Sequence, residues 1–376
     1  MKIVHLVSYS IWSGPMPSVH GLALAQRRAG HQVELWYDTK RGNMGGVEEV
    51  ARPHLGSDFP HQPLTLSTKS TPLEWIRDCA ALSRFIKTEE PDVLHVHLSH
   101  DHVLAKTVTK FSDSSPLLIR TVHARRSLAK RFGQALLYRD LDGLIFRSSD
   151  HLSQFHRHFG DATPSCVVPS GIELERFSPT SAARKSQLRR ARSLPEGARV
   201  ICHAGLIADR GQVELLRAVH ALSDPSIWLM YIGGGEQEAV LDDLITALGM
   251  SSRVIRTGYL DGEALVDAYR CSDLAFVGRL GNDAGGRIAL EPMGCGIPIL
   301  GNTDGALEAI VRSEYGWPCA KLDEDEIARQ LKRALVVSCD DLASMGKRAR
   351  TWVEQHRSFS SEAAESVAFY ENLLSR

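Results

Sequence analysis

The feature that most restricts the fold is a rhythm. Short, almost wholly apolar runs alternate with amphipathic stretches, and the alternation stops once and starts again. Lys2–Val7 reads as a strand, Pro17–Ala29 as a helix closed by Gly30, and Gln32–Tyr37 as the next strand. Val93–His97, Leu117–Val122, Gly143–Phe146 and Ser165–Val168 follow as strands. Strands this uniformly apolar, separated by helices, are expected in a parallel sheet covered on both faces. From Ser178 to Gly197 the chain is polar, basic and without strand signal, and it reads as a linker with a short helix. The rhythm resumes with Arg199–Ala204, a helix from about Val213 to Ala221, and Ile227–Ile232. A helix from about Glu236 to Leu248 comes next, then Val254–Thr257 and Asp273–Val277. The restart predicts a second doubly wound domain. The final helical stretch, Ser360–Ser375, has no strand after it. A chain of 376 residues fits two domains at roughly 100–200 residues each. The expected division is residues 1–178, a linker over 179–197, a second domain over 198–357, and a last helix over 358–376.

Composition removes several classes of function. A hydrophobic content of 43%, a charged content of 24% and a net charge of −1 are those of an ordinary globular protein,. They favour no polyanionic partner such as nucleic acid. The cysteines at 79, 166, 202, 271, 295, 319 and 339 are odd in number and form no C-x-x-C pair, so free thiols are expected in place of disulfides or structural zinc,. The N-terminal run MKIVHLVSYS reads as a strand and not as a signal peptide,. No apolar run approaches the ~18 residues of a transmembrane helix. A soluble, cytoplasmic protein is expected, at most peripheral to the inner face of a membrane.

The strongest chemical signal is Asp283-Ala-Gly-Gly-Arg-Ile-Ala-Leu-Glu291, followed by Pro-Met-Gly-Cys-Gly-Ile-Pro298. Gly285 and Gly286 lack a Cβ and let backbone approach a ligand closely. A helix starting there would turn unpaired N–H groups and its positive dipole end toward phosphate. Arg287 adds a guanidinium suited to charge-assisted hydrogen bonds. Glu291, about one turn on, places a carboxylate where sugar hydroxyls could donate to it. Glycines and a glutamate alone fit an ordinary loop-to-helix junction as well.

With those residues quoted, the segment resembles the E-x7-E region of retaining GT-B glycosyltransferases of family 4, roughly E-G-F-G-L-V-x-L-E-A-M-A-C-G-x-P. Gly286, Glu291, Met293, Cys295-Gly296 and Pro298 match. Asp283 stands where the family has its first Glu, and Pro292 replaces an Ala. In the family the first acid contacts hydroxyls of the donor sugar and the second contacts the ribose. The shorter Asp283 implies a shifted or different sugar, and Pro292, best tolerated in a first turn, implies a helix that starts late or bends. Val167-Val-Pro-Ser-Gly-Ile-Glu through Pro179, Tyr231-Ile-Gly-Gly-Gly-Glu236 and Val254-Ile-Arg-Thr-Gly-Tyr259 resemble further family segments. The last makes Tyr259 a neighbour of the nucleotide base, and Ile288 falls within the donor-binding segment.

His203-Ala-Gly-Leu-Ile-Ala-Asp-Arg-Gly211 resembles the family's G-R-L-x-x-x-K-G loop, whose two cations hold the donor diphosphate. Arg210 takes the Lys position and Gly205 the Arg position. Arg287 is then a candidate substitute for the missing charge, and a solvated loop cation is the plain alternative for Arg210. Ser13-Gly14, after the first strand, resembles the family's G-G loop, although a plain turn explains it equally. His123 in Thr121-Val-His123 matches a T-x-H whose His lines the family's active site. Ending a strand, it could contact a sugar hydroxyl or phosphate and titrate near neutral pH.

His95, His97, His100 and His102 with Asp101 suggest a metal site, but D-V-x-H-V-H is ordinary family sequence without a metal. The simpler reading is a strand end and a helix start with Ser99 as N-cap. Arg125, Arg126, Lys130 and Arg131, and again Arg189, Arg190 and Arg192, form basic clusters. Solvated faces explain both, while a phosphorylated or lipid-linked acceptor would also suit them.

The resemblance implies a GT-B fold, two Rossmann-like domains facing across a cleft, with the last helix returning to the first domain. It implies transfer of a sugar from a nucleoside diphosphate sugar to a carbohydrate or lipid-linked hydroxyl with retention of configuration, in polysaccharide, lipopolysaccharide or glycolipid assembly. His123, Arg210 and Asp283 would be catalytic; Gly14, Tyr259, Gly285, Gly286, Arg287, Ile288 and Glu291 would hold the donor. No cofactor or metal is expected. Two alternatives stay open: a GT-B sugar-nucleotide epimerase, and a non-catalytic nucleotide-sugar-binding protein on the same fold.

Overall fold

The computed structural model describes residues 1–12, 14–38, 58–59, 64–110, 116–129, 133–280 and 286–376. Contacts divide the chain into two compact units. The first comprises Met1–Gly171 and Phe359–Arg376, the second Ile172–Gly281 and Gly286–Ser358. The break therefore falls at Gly171/Ile172 and not at 178. The final helix, Phe359–Leu374, is counted with the first unit.

Each unit is built on a six-stranded sheet. The first contains β1 (Lys2–Val7), β2 (Gln32–Tyr37), β3 (Val93–Val96), β4 (Leu117–Val122), β5 (Gly143–Phe146) and β6 (Ser165–Val167), in the order β2-β1-β3-β4-β5-β6. The second contains β7 (Arg199–Ala204), β8 (Ile227–Ile232), β9 (Val254–Gly258), β10 (Leu274–Val277), β11 (Ile299–Asn302) and β12 (Gly316–Cys319), in the order β12-β11-β10-β7-β8-β9. Every strand pairing is parallel. These are two doubly wound sheets, each with a topological switch point: β1 against β3 in the first, β7 against β10 in the second.

Alternation along the strands explains the layers of the first unit. Val4, Leu6, Leu94, Val96, Leu118, Val122, Leu144 and Phe146 belong to one apolar cluster, which also takes Leu82 and Ile86 from helix Pro72–Glu89. Ile3, Val7, Val93, Ile119 and Ile145 belong to another, shared with Met16, Val19 and Ala23 of helix Met16–Arg28 and with Tyr370 and Leu373 of the final helix. Helix Pro72–Glu89 starts where its local chemistry dictates. Thr71 accepts from the Glu74 amide, the Glu74 carboxylate accepts from the Thr71 amide at 2.7 Å, and Pro72 occupies the first turn,. A buried ion pair fastens the final helix: Arg147 Nη1 lies 2.6 Å from Glu362 Oε1, and Glu362 also accepts from the Gly171 amide.

The stretch read as a linker is a packed part of the second unit. Helix Ala182–Ala191 buries Leu188 in the apolar cluster of that unit. Lys185 and Arg189 both pair with Asp273, at 2.8 and 3.0 Å, and Asp273 also caps the Val200 amide. The basic run is thus partly neutralised. A helical face with few apolar positions hid this role, because its packing rests on charge pairs. Among the described residues no helix is long and apolar enough to cross a membrane.

Candidate functional site

In the second unit the residues of interest lie on loops leaving β7 and β10, neighbours at the switch point. In such sheets the crevice beyond the strand ends receives ligands. The loop Gly205–Gly211 is held by backbone on both sides. A Cβ at Gly233 would lie 2.1 Å from the Gly205 carbonyl oxygen, and one at Gly235 would lie 2.3 Å from that of Ile207. On the other side a Cβ at Gly278 would lie 1.6 Å from the Arg210 oxygen. Backbone hydrogen bonds close these approaches: Gly205 N–H to Ile232, Ile207 N–H to Gly234 and Arg279 N–H to Arg210. The Gly233–Gly235 turn, weak as a motif, is thus a requirement of loop packing.

Arg210 does not behave as a solvated loop cation. Its Nη1 donates to the carbonyls of Arg279 at 3.3 Å and Leu280 at 2.7 Å, tying together the loops after β7 and β10. Gly205, where the family carries its other cation, has φ +138° and open space beyond the position of a Cβ.

Gly286 begins helix Arg287–Gly294 with φ +69°, the left-handed region that glycine adopts without strain,. A Cβ there would meet Ile310 Cδ1 at 2.7 Å. The absent side chain therefore serves packing within the protein as well as backbone geometry. Arg287 and Glu291 are one turn apart and pair, Nη2 to Oε1, at 2.8 Å,. Tyr269 donates its hydroxyl to the other Glu291 oxygen at 3.0 Å, and burial holds that phenol well above its ordinary pKa. Glu291 is thus an almost buried carboxylate with one partner on each oxygen and lone pairs to spare for a further donor,. Ile288 is half-buried against the core. Pro292 lies inside the eight-residue helix and not in its first turn, so the helix does not start late. Tyr259, directly after β9, is 46% exposed. Asp283 and Gly285 lie outside the described residues.

In the first unit the switch point is β1 against β3, where His5 pairs in register with His95. Side chains on parallel strands alternate faces. His5, His95, His97, Thr121 and His123 consequently fall on one face, near the carboxyl ends of β1, β3 and β4. His123 Nε2 lies 2.9 Å from His97 Nδ1, and His97 Nε2 lies 3.0 Å from His5 Nδ1. His95 Nε2 lies 2.7 Å from Thr121 Oγ1, and His95 Nδ1 lies 2.7 Å from the Tyr370 hydroxyl. Burial lowers the pKa of His5 to about 4 and those of His95, His97 and His123 well below the ordinary histidine value. For His123 the charges of Arg147 and Arg120 add to burial. The expectation that His123 titrates near neutral pH is therefore corrected: it is a neutral ring there.

Nitrogens of His5, His95 and His97 lie within 4.8 Å of one another, close enough to consider a metal. Each of their ring nitrogens, however, already has a hydrogen-bond partner, His5 Nε2 being 2.7 Å from Gln26 Oε1. His102 belongs elsewhere: its Nδ1 lies 2.8 Å from Arg120 Nη1. Asp101, and not Ser99, caps the helix Ser99–Thr109, accepting from the amides of His97 and Leu98. It also accepts from Ser8 Oγ at 2.9 Å, joining the loops after β1 and β3. Burial raises the Asp101 pKa to about 6. Gly14 has φ +55°, and a Cβ there would touch the Tyr9 hydroxyl at 3.4 Å. Arg125 pairs with Asp150 at 3.3 Å; Lys130 and Arg131 lie outside the described residues.

His5 was missed by sequence reasoning. The signal was available: K-I-V-H-L-V has its histidine at the same alternating position as His95 in V-L-H-V-H and Thr121 in L-L-I-R-T-V-H.

Residues 14–176 match the model of "Glycosyltransferase Family 4" and residues 184–352 that of "Glycosyl transferases group 1". The chain is 27% identical over 253 residues to a GDP-mannose-dependent alpha-(1-6)-phosphatidylinositol monomannoside mannosyltransferase of Mycobacterium tuberculosis, covering 65% of this chain and 64% of that one. It thus spans slightly less than two thirds of that relative's length. With a D-inositol 3-phosphate glycosyltransferase of Nocardiopsis dassonvillei it shares 28% identity over 356 residues, 85% of this chain and 81% of the relative. Among solved structures, HepE of Anabaena in complex with UDP has a TM-score of 0.82 at 17% identity, with full coverage of both chains. Sucrose-phosphate synthase of Thermosynechococcus elongatus has a TM-score of 0.78 at 18% identity, also with full coverage. At these identities the two structures show a shared fold.

Proposed function

This chain belongs to glycosyltransferase family 4, and on that premise we propose that it transfers a sugar from a nucleoside diphosphate sugar to a hydroxyl acceptor with retention of configuration. The observation that carries the reading is the second switch point. There a loop wedged between glycine backbones presents Arg210, and a helix N-terminus at Gly286 stands beside an Arg287–Glu291 pair. The departing diphosphate gains charge in the transition state. Arg210, Arg287 and the helix N-terminus would oppose that charge electrostatically, without a metal at the diphosphate. Glu291 has lone pairs left for the ribose. Asp283 and His123 would orient the donor sugar, which is catalysis by positioning. Because His123 is neutral, its part is that of a hydrogen-bonding group and not of a charged one. The relatives' names speak for a carbohydrate or glycolipid acceptor, so a peripheral association with membrane at the cytoplasmic face belongs to the same reading.

The test is calorimetry with GDP, UDP and ADP, followed by a transfer assay with the matching sugar nucleotides and inositol-phosphate or lipid-linked acceptors. Binding of one diphosphate and retention at the anomeric carbon are expected. Arg287→Gln should weaken that binding by about tenfold, the loss of one charge-assisted hydrogen bond. Unchanged affinity would remove Arg287 from the diphosphate site. Binding without transfer across the acceptor panel would favour a non-catalytic protein on the same fold.

A further inference from the structure

The histidines of the first unit belong to a longer chain of hydrogen bonds whose direction can be read from one end. Gln26, on helix Met16–Arg28, is wholly buried. Its Nε2 donates to the Tyr370 hydroxyl at 3.4 Å, and its Oε1 faces His5 Nε2 at 2.7 Å. An amide oxygen only accepts, so His5 carries its proton on Nε2 and offers Nδ1 as an acceptor. His97 must then donate from Nε2 to His5, which leaves His97 Nδ1 an acceptor. His123 in turn must donate from Nε2 to His97. The other branch is consistent: Tyr370, accepting from Gln26, donates to His95 Nδ1, and His95 donates from Nε2 to Thr121. Every member of the chain finds a partner with His5, His95 and His97 neutral; His123 donates from Nε2 in either charge state, and burial together with the charges of Arg147 and Arg120 holds its ring neutral as well.

We propose that Gln26, His5 and His97 are positioning residues that fix His123 as the neutral Nε2–H tautomer, with Nδ1 as its hydrogen-bond acceptor. Nδ1 of His123 has no partner among the described residues, and the side chain is only half-buried. The ring therefore presents a lone pair, and not an N–H, to whatever ligand reaches the carboxyl end of β4. Such a group receives a hydrogen bond from a hydroxyl and turns away a phosphate oxygen, which offers only lone pairs. This choice between two ligand chemistries is made about two residue layers away, by the orientation of one amide. Its relevance to catalysis rests on the transferase reading above; the tautomer itself does not.

The experiment is long-range proton–nitrogen NMR on the full chain labelled with ring 15N-histidine, the His123 signals being identified by their loss in His123→Gln. At neutral pH, His123 of the unsubstituted protein should show a protonated Nε2 and a bare Nδ1. In His97→Phe and in Gln26→Met the ring should become a mixture of tautomers, with kcat of sugar transfer falling about tenfold, as when groups that orient a ligating histidine are removed. Donor KM should change less than kcat. A protonated Nδ1 in the unsubstituted protein would overturn the proposal, because it would mean that the whole chain runs in reverse. So would a folded His97→Phe protein whose His123 keeps a single tautomer. A protein with the expected tautomer and no transfer activity would leave this inference standing and sink only the transferase reading.

Discussion

The two units solve the same topological problem with different materials. Both wind a parallel sheet outward from a switch point, and both tie together the two loops that leave the switch-point strands. In the first unit the tie is a Ser8 hydroxyl on a buried Asp101, next to a face of neutral imidazoles. In the second it is an arginine on loop carbonyls, with glycines allowing backbone to touch backbone. A sheet of given topology thus fixes where a ligand can sit but not which chemistry meets it. The first unit offers uncharged, directional hydrogen bonds; the second offers cations and amide groups suited to phosphate.

The comparison can be broken most directly at the ion pair that fastens the final helix. Arg147→Met leaves Glu362 buried without its cation, a change of about 3–5 kcal/mol in unfolding free energy. Urea denaturation should show the loss, and hydrogen exchange should place it in the first unit. A loss shared equally with the second unit would mean that the units do not unfold separately.

Acid should separate the units next. His5 has a folded pKa near 4 against 6.5 unfolded, so the unfolded chain takes up a proton that the folded one refuses. That stabilisation is complete above about pH 6.5 and disappears as pH falls toward about 4, a loss on the order of 3 kcal/mol from this one ring. His95, His97 and His123 act in the same direction. Asp101, raised to about 6, acts in the opposite direction between its unfolded value and pH 6. In the second unit His203, also lowered to about 4 by burial, is the corresponding ring. Hydrogen exchange at pH 7 and pH 5 should therefore show the first unit weakening more. Equal weakening would remove the distinction.

Gly286→Ala probes the second unit's backbone. The left-handed φ and the approach to Ile310 together predict a loss of about 1–3 kcal/mol, read by thermal unfolding, with weaker nucleoside diphosphate binding by calorimetry,. A smaller effect is expected at Tyr259. As an exposed side chain, its change to Ala should move stability by less than about 0.5 kcal/mol, so any change in nucleotide binding reports contact with the base,.

Much of this was legible before the structure. The apolar runs located β1, β2, β4, β5, β7 and β8 to the residue, because a buried parallel strand must be apolar on both faces,. The helix start at Gly286 was legible from its glycines, whereas reading the segment up to Glu291 as a donor site rested on its resemblance to the family. Other features were harder to read. Helix Ala182–Ala191 looked like a linker because its packing relies on Asp273, distant in sequence. Pro292 was expected to delay or bend its helix, and the helix is not delayed: it starts at Arg287 and runs through the proline. The titration expected of His123 failed because burial lowers its pKa, with the charges of Arg147 and Arg120 adding to that.

What the sequence by itself determined is the architecture and the kinds of group available. Alternation of apolar runs with amphipathic helices leaves few folds open, and a helix-starting glycine beside Arg287 and Glu291 is a local arrangement. Only the tertiary structure decided how those groups behave. Burial keeps His123 neutral, a Tyr269 hydroxyl takes up one oxygen of Glu291, and Gln26 sets the direction of a hydrogen-bond chain that ends at His123. Those outcomes depend on desolvation and on partners far apart in the chain, and neither is written in local spacing.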